Sequence, residues 1–480
     1  MKVVIIGGGL GGLMAGALLS KEGFKVLLLE QHSIVGGCAT VFKRGSFNFE
    51  VSLHEIDGVF SNPILVEAFE YLDVYKNIEF IKIPNFFEVK FKDDTFLMPN
   101  NLEEVKYKLT KKFPEEKKGI ERYFNIIDKI YVEFSRLLKS SKINWIFFPI
   151  KFTNITIFKG KTVSDVFDKL FKSEKLKIIL NSNLGYYNDS VENLSFLLHA
   201  VAQNSYYKYG GYYIKGGSYS LSNYLATVIK SNGGKVFTRA TVIKCEKDKV
   251  IFKIGRNIYS EYTDLFVSNL SPEDTYKLFN IDYRGRKELS LSLLTIYIGF
   301  KESLKKLYGK RAYSTFFLEN VENYKNFFDE DIFKRSFVFV DYSQINSGLT
   351  SKDKSVGTIT TVDYIDSWKN LNRKEYIDRK KEVSKKFIER LEKYYPNITN
   401  YIELVEVGTP KTIEKYIKTP KGVVYGYKPT PKQFFKEPEV KSKLVDNLYF
   451  VGQWVISGGF SPSIMSGILA FKKIKSEKIH

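Results

Sequence analysis

The first thirty residues restrict the fold more than any other stretch of the 480. Residues 3–6 are all apolar, the pattern of a strand covered on both faces of a parallel sheet. Gly7-x-Gly9-x-x-Gly12 follows at once, then a helical stretch with Ala15 and Gly16 on its inner side. A second apolar run, 26–29, ends on Glu30. Each part of this βαβ pattern has a chemical reason. Gly7 permits a tight turn, Gly9 lets backbone approach a pyrophosphate, and Gly12 lets helix and strand pack closely. The helix N-terminus offers N–H groups and partial positive charge to phosphate. Glu30, 18 residues past Gly12, suits an adenosine ribose hydroxyl. The bland alternative is a glycine-rich turn in another α/β fold. Taken alone, the stretch points to a dinucleotide and leaves FAD or NAD open.

The rest of the chain is long enough for two or three domains. An apolar content of 44%, with 39 Phe and 32 Tyr, fits a broad apolar interior and excludes a disordered chain. The two cysteines, Cys38 and Cys245, form no disulfide framework, and a reducing cytoplasm is the expected compartment. The four histidines are scattered, so no metal site is expected. Glycines interrupt the apolar N-terminus, which argues against a signal peptide, and no apolar run is long enough to span a bilayer. A net charge of +20 suits anionic lipid or simply a soluble basic surface, and no nucleic-acid motif accompanies it.

After Glu30 come Gln31 and a glycine pair, Gly36-Gly37, placed to pass beside the first phosphate loop. Gly45-Ser-Phe47-Asn-Phe49-Glu50-Val51-Ser52-Leu53-His54 then alternates like a strand. This segment resembles the phytoene desaturase, carotenoid isomerase and retinol saturase family of FAD flavoproteins. Members carry a glycine doublet, then Gly-Phe-x-Phe-Asp-x-Gly, with a His in some branches. The chain departs at Glu50 for Asp, Ser52 for Gly, and Cys38 for the Arg that often follows the doublet.

Residues 61–210 read mostly as helix. Leu102, Val105 and Leu109 share one face. Ile120, Tyr123, Phe124, Ile127, Tyr131, Phe134 and Leu138 form a longer stripe, as core packing alone would also explain. Another helix is expected over 162–180. Residues 139–161 hold five lysines, no acid, and Trp145, Phe147 and Phe148 among isoleucines. Such a mixture suits either a membrane–water interface or an internal apolar wall with solvated lysines.

Gly216-Gly217 opens a helix expected over 221–229, and Gly233-Gly234 closes it. Strands are expected at 235–237, 241–244, 250–254 and 265–268. The resemblance continues here, and it implies that the backbone of Val242 holds the adenine. Residues 290–300, 337–342 and 357–364 read as strands of a second sheet, with an amphipathic helix over 373–395. Such a sheet would roof the flavin. The closing motif runs from a strand at 448–451 into Gly452-Gln453, Gly458-Gly459 and a helix containing Ile464. The family pattern has Gly-Asp where this chain has Gly452-Gln453, and a Gln still hydrogen-bonds a ribityl chain without charge.

The expected fold is α/β: a discontinuous Rossmann-like FAD-binding domain (1–60, 211–270, 436–480), a mixed-sheet substrate domain (271–435) and a helical cap (61–210). The expected FAD contacts are Gly7, Gly9, Gly12, Glu30, Gln31, Gly36, Gly37, Val242, Gly452, Gln453, Gly459 and Ile464. No second strand–GxGxxG–helix is present, so a separate nicotinamide domain is not expected. The resemblance implies an FAD-dependent oxidoreductase that desaturates, saturates or isomerises a hydrophobic polyene or polyprenoid. It also implies that His54, near the flavin, handles a proton; a structural histidine is the alternative. Two other readings share the architecture: an amine-oxidase-like flavoenzyme, and a prenyl-binding escort of the GDP-dissociation-inhibitor type without flavin. The expected partners are a hydrophobic small molecule, an external electron donor or acceptor, and an anionic membrane face of the cytoplasm, with no nucleic acid.

Overall fold

An all-apolar strand is stable only where both its faces are covered. The computed structural model, which describes residues 1–91, 94–139, 147–285, 287–434 and 440–478, places Lys2–Ile6 at the centre of such a sheet. Five parallel strands run in the order Leu448–Phe450, Leu265–Ser268, Lys2–Ile6, Lys25–Leu29, Lys235–Phe237. They come from three distant parts of the chain, so the sheet closes only when both ends of the sequence meet. The helices Leu10–Lys21 and Phe460–Lys478 pack together on one face. Gly467 makes that crossing close: a Cβ there would strike the Gly11 carbonyl. An antiparallel meander, Ala240–Cys245, Lys249–Ile254 and Asn257–Tyr262, covers the other face.

The second body is a seven-stranded mixed sheet. Its order is Ile402–Gly408, Ser292–Phe300, Ser355–Asp363, Phe337–Asp341, Ser314–Phe317, Phe87–Phe91, Asp94–Met98. Strand alternation divides its faces. Ile296, Ile298 and Ile359 point outward onto Val383, Phe387 and Leu391 of the helix Arg373–Glu392. Thr295, Tyr297, Val338 and Thr360 line a cavity on the inner face.

Three expectations need correction. Residues 61–210 are not simply helical: Phe80–Lys82 pairs with Tyr212–Ile214, and the hairpin Phe87–Phe91/Asp94–Met98 extends the large sheet. The helix expected over 162–180 is two, Val163–Leu170 and Glu174–Leu180, each with its own Thr or Ser cap. The strand expected over 45–54 is the short strand Phe47–Glu50, paired with Val41–Arg44 and followed by a bend.

The long stripe on Lys117–Lys139 divides along its length. Ile120, Tyr123, Phe124 and Ile127 are core, whereas Tyr131, Phe134 and Leu138 reach the cavity wall.

Candidate active site

A cavity of about 3280 Å³ lies between the C-terminal edge of the parallel sheet and the inner face of the mixed sheet. Ligand pockets commonly span roughly 300–1,000 Å³. This space therefore accommodates a dinucleotide and a long second ligand together. The C-terminal edge of a parallel sheet is where open α/β folds bind ligands.

The nucleotide end is built from glycine. Gly7 adopts a left-handed φ of 93° and turns the chain into the helix. Gly12 holds helix to strand, since a Cβ there would run into the Gly7 carbonyl oxygen and Ile5. Gly9 lies under the side chain of Asn269, and a Cβ would meet its Nδ2. The same amide crowds Gly452, so Asn269 stands between the first and last glycine turns. Its Oδ1 is enclosed and has no partner, while the residue itself lines the cavity. Glu30 is buried and its carboxylate is a backbone clamp: Oε2 accepts from Gly8 N–H and Oε1 from His32 N–H, both at 2.7 Å. The Glu30 carbonyl accepts from Ala240 N–H at 2.8 Å, which brings Val242 to the same end of the cavity.

The second glycine pair does run against the first loop. Gly36 N–H donates to the Gly8 carbonyl at 2.7 Å, and Gly36 bridges Gly9. Behind it, the buried Glu50 carboxyl accepts from Ser218 N–H and Oγ at 2.7 Å, and from Leu53 N–H at 3.0 Å. Burial pushes this carboxyl up to about 6 against those bonds. Glu50 thereby ties the Phe47–Glu50 strand to the Gly216-Gly217 turn.

The far end is aromatic, with a few polar groups. His54 lines the cavity, and its Nδ1 lies 2.9 Å from Tyr186 Oη. Burial lowers its pKa to about 4, so the ring is neutral at physiological pH. The Tyr313 hydroxyl donates to the His54 carbonyl at 2.7 Å and fixes the backbone there. Glu55 and Asp57 also line the wall, together with Tyr187 and Tyr206. Burial, and then Asp57, holds the Glu55 carboxyl well above the usual range. Burial raises Asp57 too, opposed by the hydroxyls of Ser205 and Ser461.

Of the residues expected to contact a cofactor, Gly7, Gly9, Glu30, Gln31, Gly36, Gly37, Val242, Gly452, Gln453 and Gly459 line this cavity. Gly12 acts one layer behind, as a spacer. Ile464 does not line the cavity; it is fully buried in the helix Phe460–Lys478 because it faces the core. The Gly452 N–H is already taken by Ser466 Oγ at 2.6 Å. Trp145 lies outside the described residues. Phe147 is exposed, whereas Phe148 is buried and reaches the cavity wall. Asn269, Glu55, Asp57 and Tyr186 were not singled out by sequence. Only Asn269 carries a local signal, as the polar residue that ends a buried strand beside a glycine loop.

A family model described as an NAD(P)-binding Rossmann-like domain matches residues 5–72. The chain is 25% identical to an all-trans-retinol 13,14-reductase of Danio rerio, over all of this chain and 87% of that protein. It is 26% identical to a chloroplastic prolycopene isomerase of an Oncidium hybrid, over 99% of this chain and 84% of that one. The structure of cyclohexylamine oxidase from Brevibacterium oxydans superposes with a TM-score of 0.64 at 14% identity, covering 100% of this chain and 99% of that one. The full-length similarity to these relatives and the Rossmann-like start support the resemblance to the phytoene desaturase, carotenoid isomerase and retinol saturase family.

Proposed function

We propose that the protein is an FAD-dependent oxidoreductase whose substrate is a hydrophobic polyene or polyprenoid. The observation that carries this reading is one continuous cavity, with glycine turns and a clamped Glu30 at one end and aromatic walls at the other. The glycine cradle fits a dinucleotide: Gly7, Gly9, Gly36, Gly37, Gly452 and Gly459 line this end of the cavity without side chains of their own. Gly7, Gly9, Gly36, Gly37, Gly452 and Gly459 would hold the phosphates and flavin edge, with Glu30 and Gln31 at the ribose, Val242 at the adenine and Gln453 at the ribityl chain. The three sequence segments 1–60, 211–270 and 436–480 would make up the cofactor domain, under a roof from 271–435 and a cap from 61–210. Bound flavin supplies two-electron redox chemistry.

The chain's own residues do the rest. Tyr297, Phe316 and Val338 of the roof, with Tyr131 and Phe134 of the cap, give an apolar channel that orients a polyene and excludes water. His54, held by Tyr186, keeps a neutral imidazole at the wall, able to accept a proton. Retinol and prolycopene, named in the relatives, are both polyenes.

A lipid-soluble substrate also needs a route from a membrane. No described helix is long and apolar enough to cross one. Phe147, Ile150 and Ile157 are exposed, and Leu138 is both exposed and on the cavity wall. With Lys151 close by and a net charge of +20, this patch suits peripheral docking on anionic lipid.

Glu55 and Asp57 among tyrosines favour one second reading, an amine-oxidising flavoenzyme whose substrate is a cation. The first test is the visible spectrum of the purified protein after gel filtration. A yellow protein releasing one FAD per chain on denaturation is expected; a colourless protein that takes up no added FAD contradicts the proposal.

A further inference from the structure

The nucleotide end of the cavity carries a contact that the glycine cradle does not explain. The His32 N–H is held by the Glu30 carboxylate at 2.7 Å. The His32 ring meets Tyr416 edge-on, with centroids 5.6 Å apart and planes at 84°. Tyr416 comes from the other body: its helix, Pro410–Ile417, follows directly on the roof strand Ile402–Gly408. The pair therefore joins the roof to the cofactor sheet beside Glu30. Both residues line the cavity, and Tyr416 is 48% exposed, so the contact stands at the rim and not in the core. The same helix is basic at this rim. Lys411, Lys415 and Lys418 line the cavity, against one acid of that helix, Glu414. Among the described residues none of these lysines forms an ion pair. The Lys415 ammonium lies over the Tyr416 ring at 5.4 Å, and that of Lys411 over Tyr376 at 5.5 Å. Arg239, also exposed, donates its backbone N–H to the His32 carbonyl at 2.9 Å, which brings a further cation to the contact. Like charges gathered at one opening repel each other and attract a passing anion.

We propose that this rim is the port through which the cofactor enters and is retained. Lys411, Lys415 and Lys418 draw in the anionic dinucleotide, and the Tyr416–His32 contact closes its adenosine end. The proposal rests on the FAD reading and adds to it the residues that set how fast the cofactor binds and how slowly it leaves. The two roles separate physically. Rim charges act before contact, so they change the association rate, and salt screens their effect. A ring contact that must part before the ligand leaves acts on dissociation. The position suits a pyrophosphate-bearing ligand better than a polyene. The rim lies beside Glu30, through His32, whereas His54 and the aromatic walls stand at the other end. Opening the contact also leaves the clamp intact, because Glu30 holds His32 by its backbone and not by its ring.

The test measures FAD kinetics on the full chain and involves no turnover. Association is followed by flavin fluorescence on mixing FAD with the flavin-stripped protein, and dissociation by its change on diluting the holoprotein. Replacing Lys411, Lys415 and Lys418 together with Gln is expected to slow association about three- to tenfold at low salt, to flatten its salt dependence, and to leave dissociation as in the wild type. A control with the same change of charge replaces Lys111, Lys117 and Lys118, exposed on the cap and off the cavity wall, and is expected to match the wild type. Tyr416→Ser is expected to speed dissociation about two- to tenfold, the worth of one aromatic pair. Tyr416→Phe is expected to restore the wild-type rate, and His32→Ala to add nothing once Tyr416→Ser is present. Equal slowing by the control assigns the effect to net charge and overturns the port. So do rates that no variant changes, or dissociation from Tyr416→Phe as fast as from Tyr416→Ser. Lost flotation with anionic liposomes at unchanged FAD rates assigns the rim lysines to lipid and likewise overturns it. A wild type that takes up no FAD contradicts the cofactor reading itself, and the port with it. FAD bound at rates indifferent to every variant leaves that reading standing and removes the port alone.

Discussion

Tyr186 Oη lies 2.9 Å from His54 Nδ1, so this histidine of the cavity wall is held in a fixed orientation by a half-buried phenol. Burial depresses the folded pKa of His54 to about 4 from 6.5. The unfolded chain therefore binds this proton more readily than the folded one between those values. The associated stability is fully present above pH 6.5 and is lost as pH falls toward 4. We expect wild type to lose more stability than His54→Gln over that window, by up to roughly 3 kcal/mol. Urea unfolding at a series of pH values measures it; parallel curves for the two proteins contradict the burial of a neutral His54. The comparison isolates His54 from the buried His199, which is also lowered but is common to both proteins.

Glu30 clamps two backbone N–H groups. Glu30→Ala should therefore weaken FAD and also loosen the loop. The loss is roughly 1.5–3 kcal/mol for each charge-assisted bond removed. Fluorescence titration with FAD and thermal unfolding of the apoprotein check the two effects separately. Unchanged FAD affinity contradicts Glu30 as a cofactor residue, whereas an unchanged apoprotein contradicts the clamp.

The glycines beside Asn269 make separable predictions. Gly9→Ala places a methyl against a side-chain amide, which Asn269→Ala would remove. Gly12→Ala places it against the Gly7 backbone, which nothing relieves. Each single change should cost roughly 1–3 kcal/mol as overpacking. Asn269→Ala should restore stability to Gly9→Ala and not to Gly12→Ala, as denaturant midpoints would show. Equal rescue of both contradicts the packing described for Asn269.

The exposed apolar patch gives a fourth prediction. Replacing Phe147, Ile150 and Ile157 with Ser should abolish flotation with anionic liposomes and leave thermal stability unchanged, because all three side chains are exposed. Phe148 is buried, and its replacement should instead lower stability. Equal flotation of wild type and the triple variant removes this patch as the docking surface.

Much of this architecture is local and so was legible in the sequence. Residues 265–268 and 235–237 are strands where the pattern placed them, since short apolar runs bounded by turns carry their own signal. The Gly7 and Gly36 turns follow from residue type alone. The hairpin at 87–98 was not read, although Phe87-Glu-Val-Lys-Phe91 alternates. Long helical stripes flank it, and its place in the sheet depends on a parallel pairing with Ser314–Phe317, more than two hundred residues away. The same holds at the cavity. His54 sits in a recognisable segment, but its partner Tyr186 comes from a distant part of the chain. Glu55 and Asp57 look like ordinary surface acids until the fold buries the first and half-buries the second. Ile464 follows a glycine turn in sequence, yet its side chain is buried in the core.

The most direct test of the central claim is turnover by the FAD-loaded protein under anaerobic conditions. All-trans-retinol and lycopene isomers are incubated with flavin oxidised or pre-reduced, and products are separated by chromatography. The account predicts conversion of at least one polyene in a manner that depends on flavin redox state, with saturation or isomerisation needing the reduced form and desaturation needing an added acceptor. No change in any polyene in either state, together with stoichiometric bleaching of the flavin by a water-soluble amine, would contradict it.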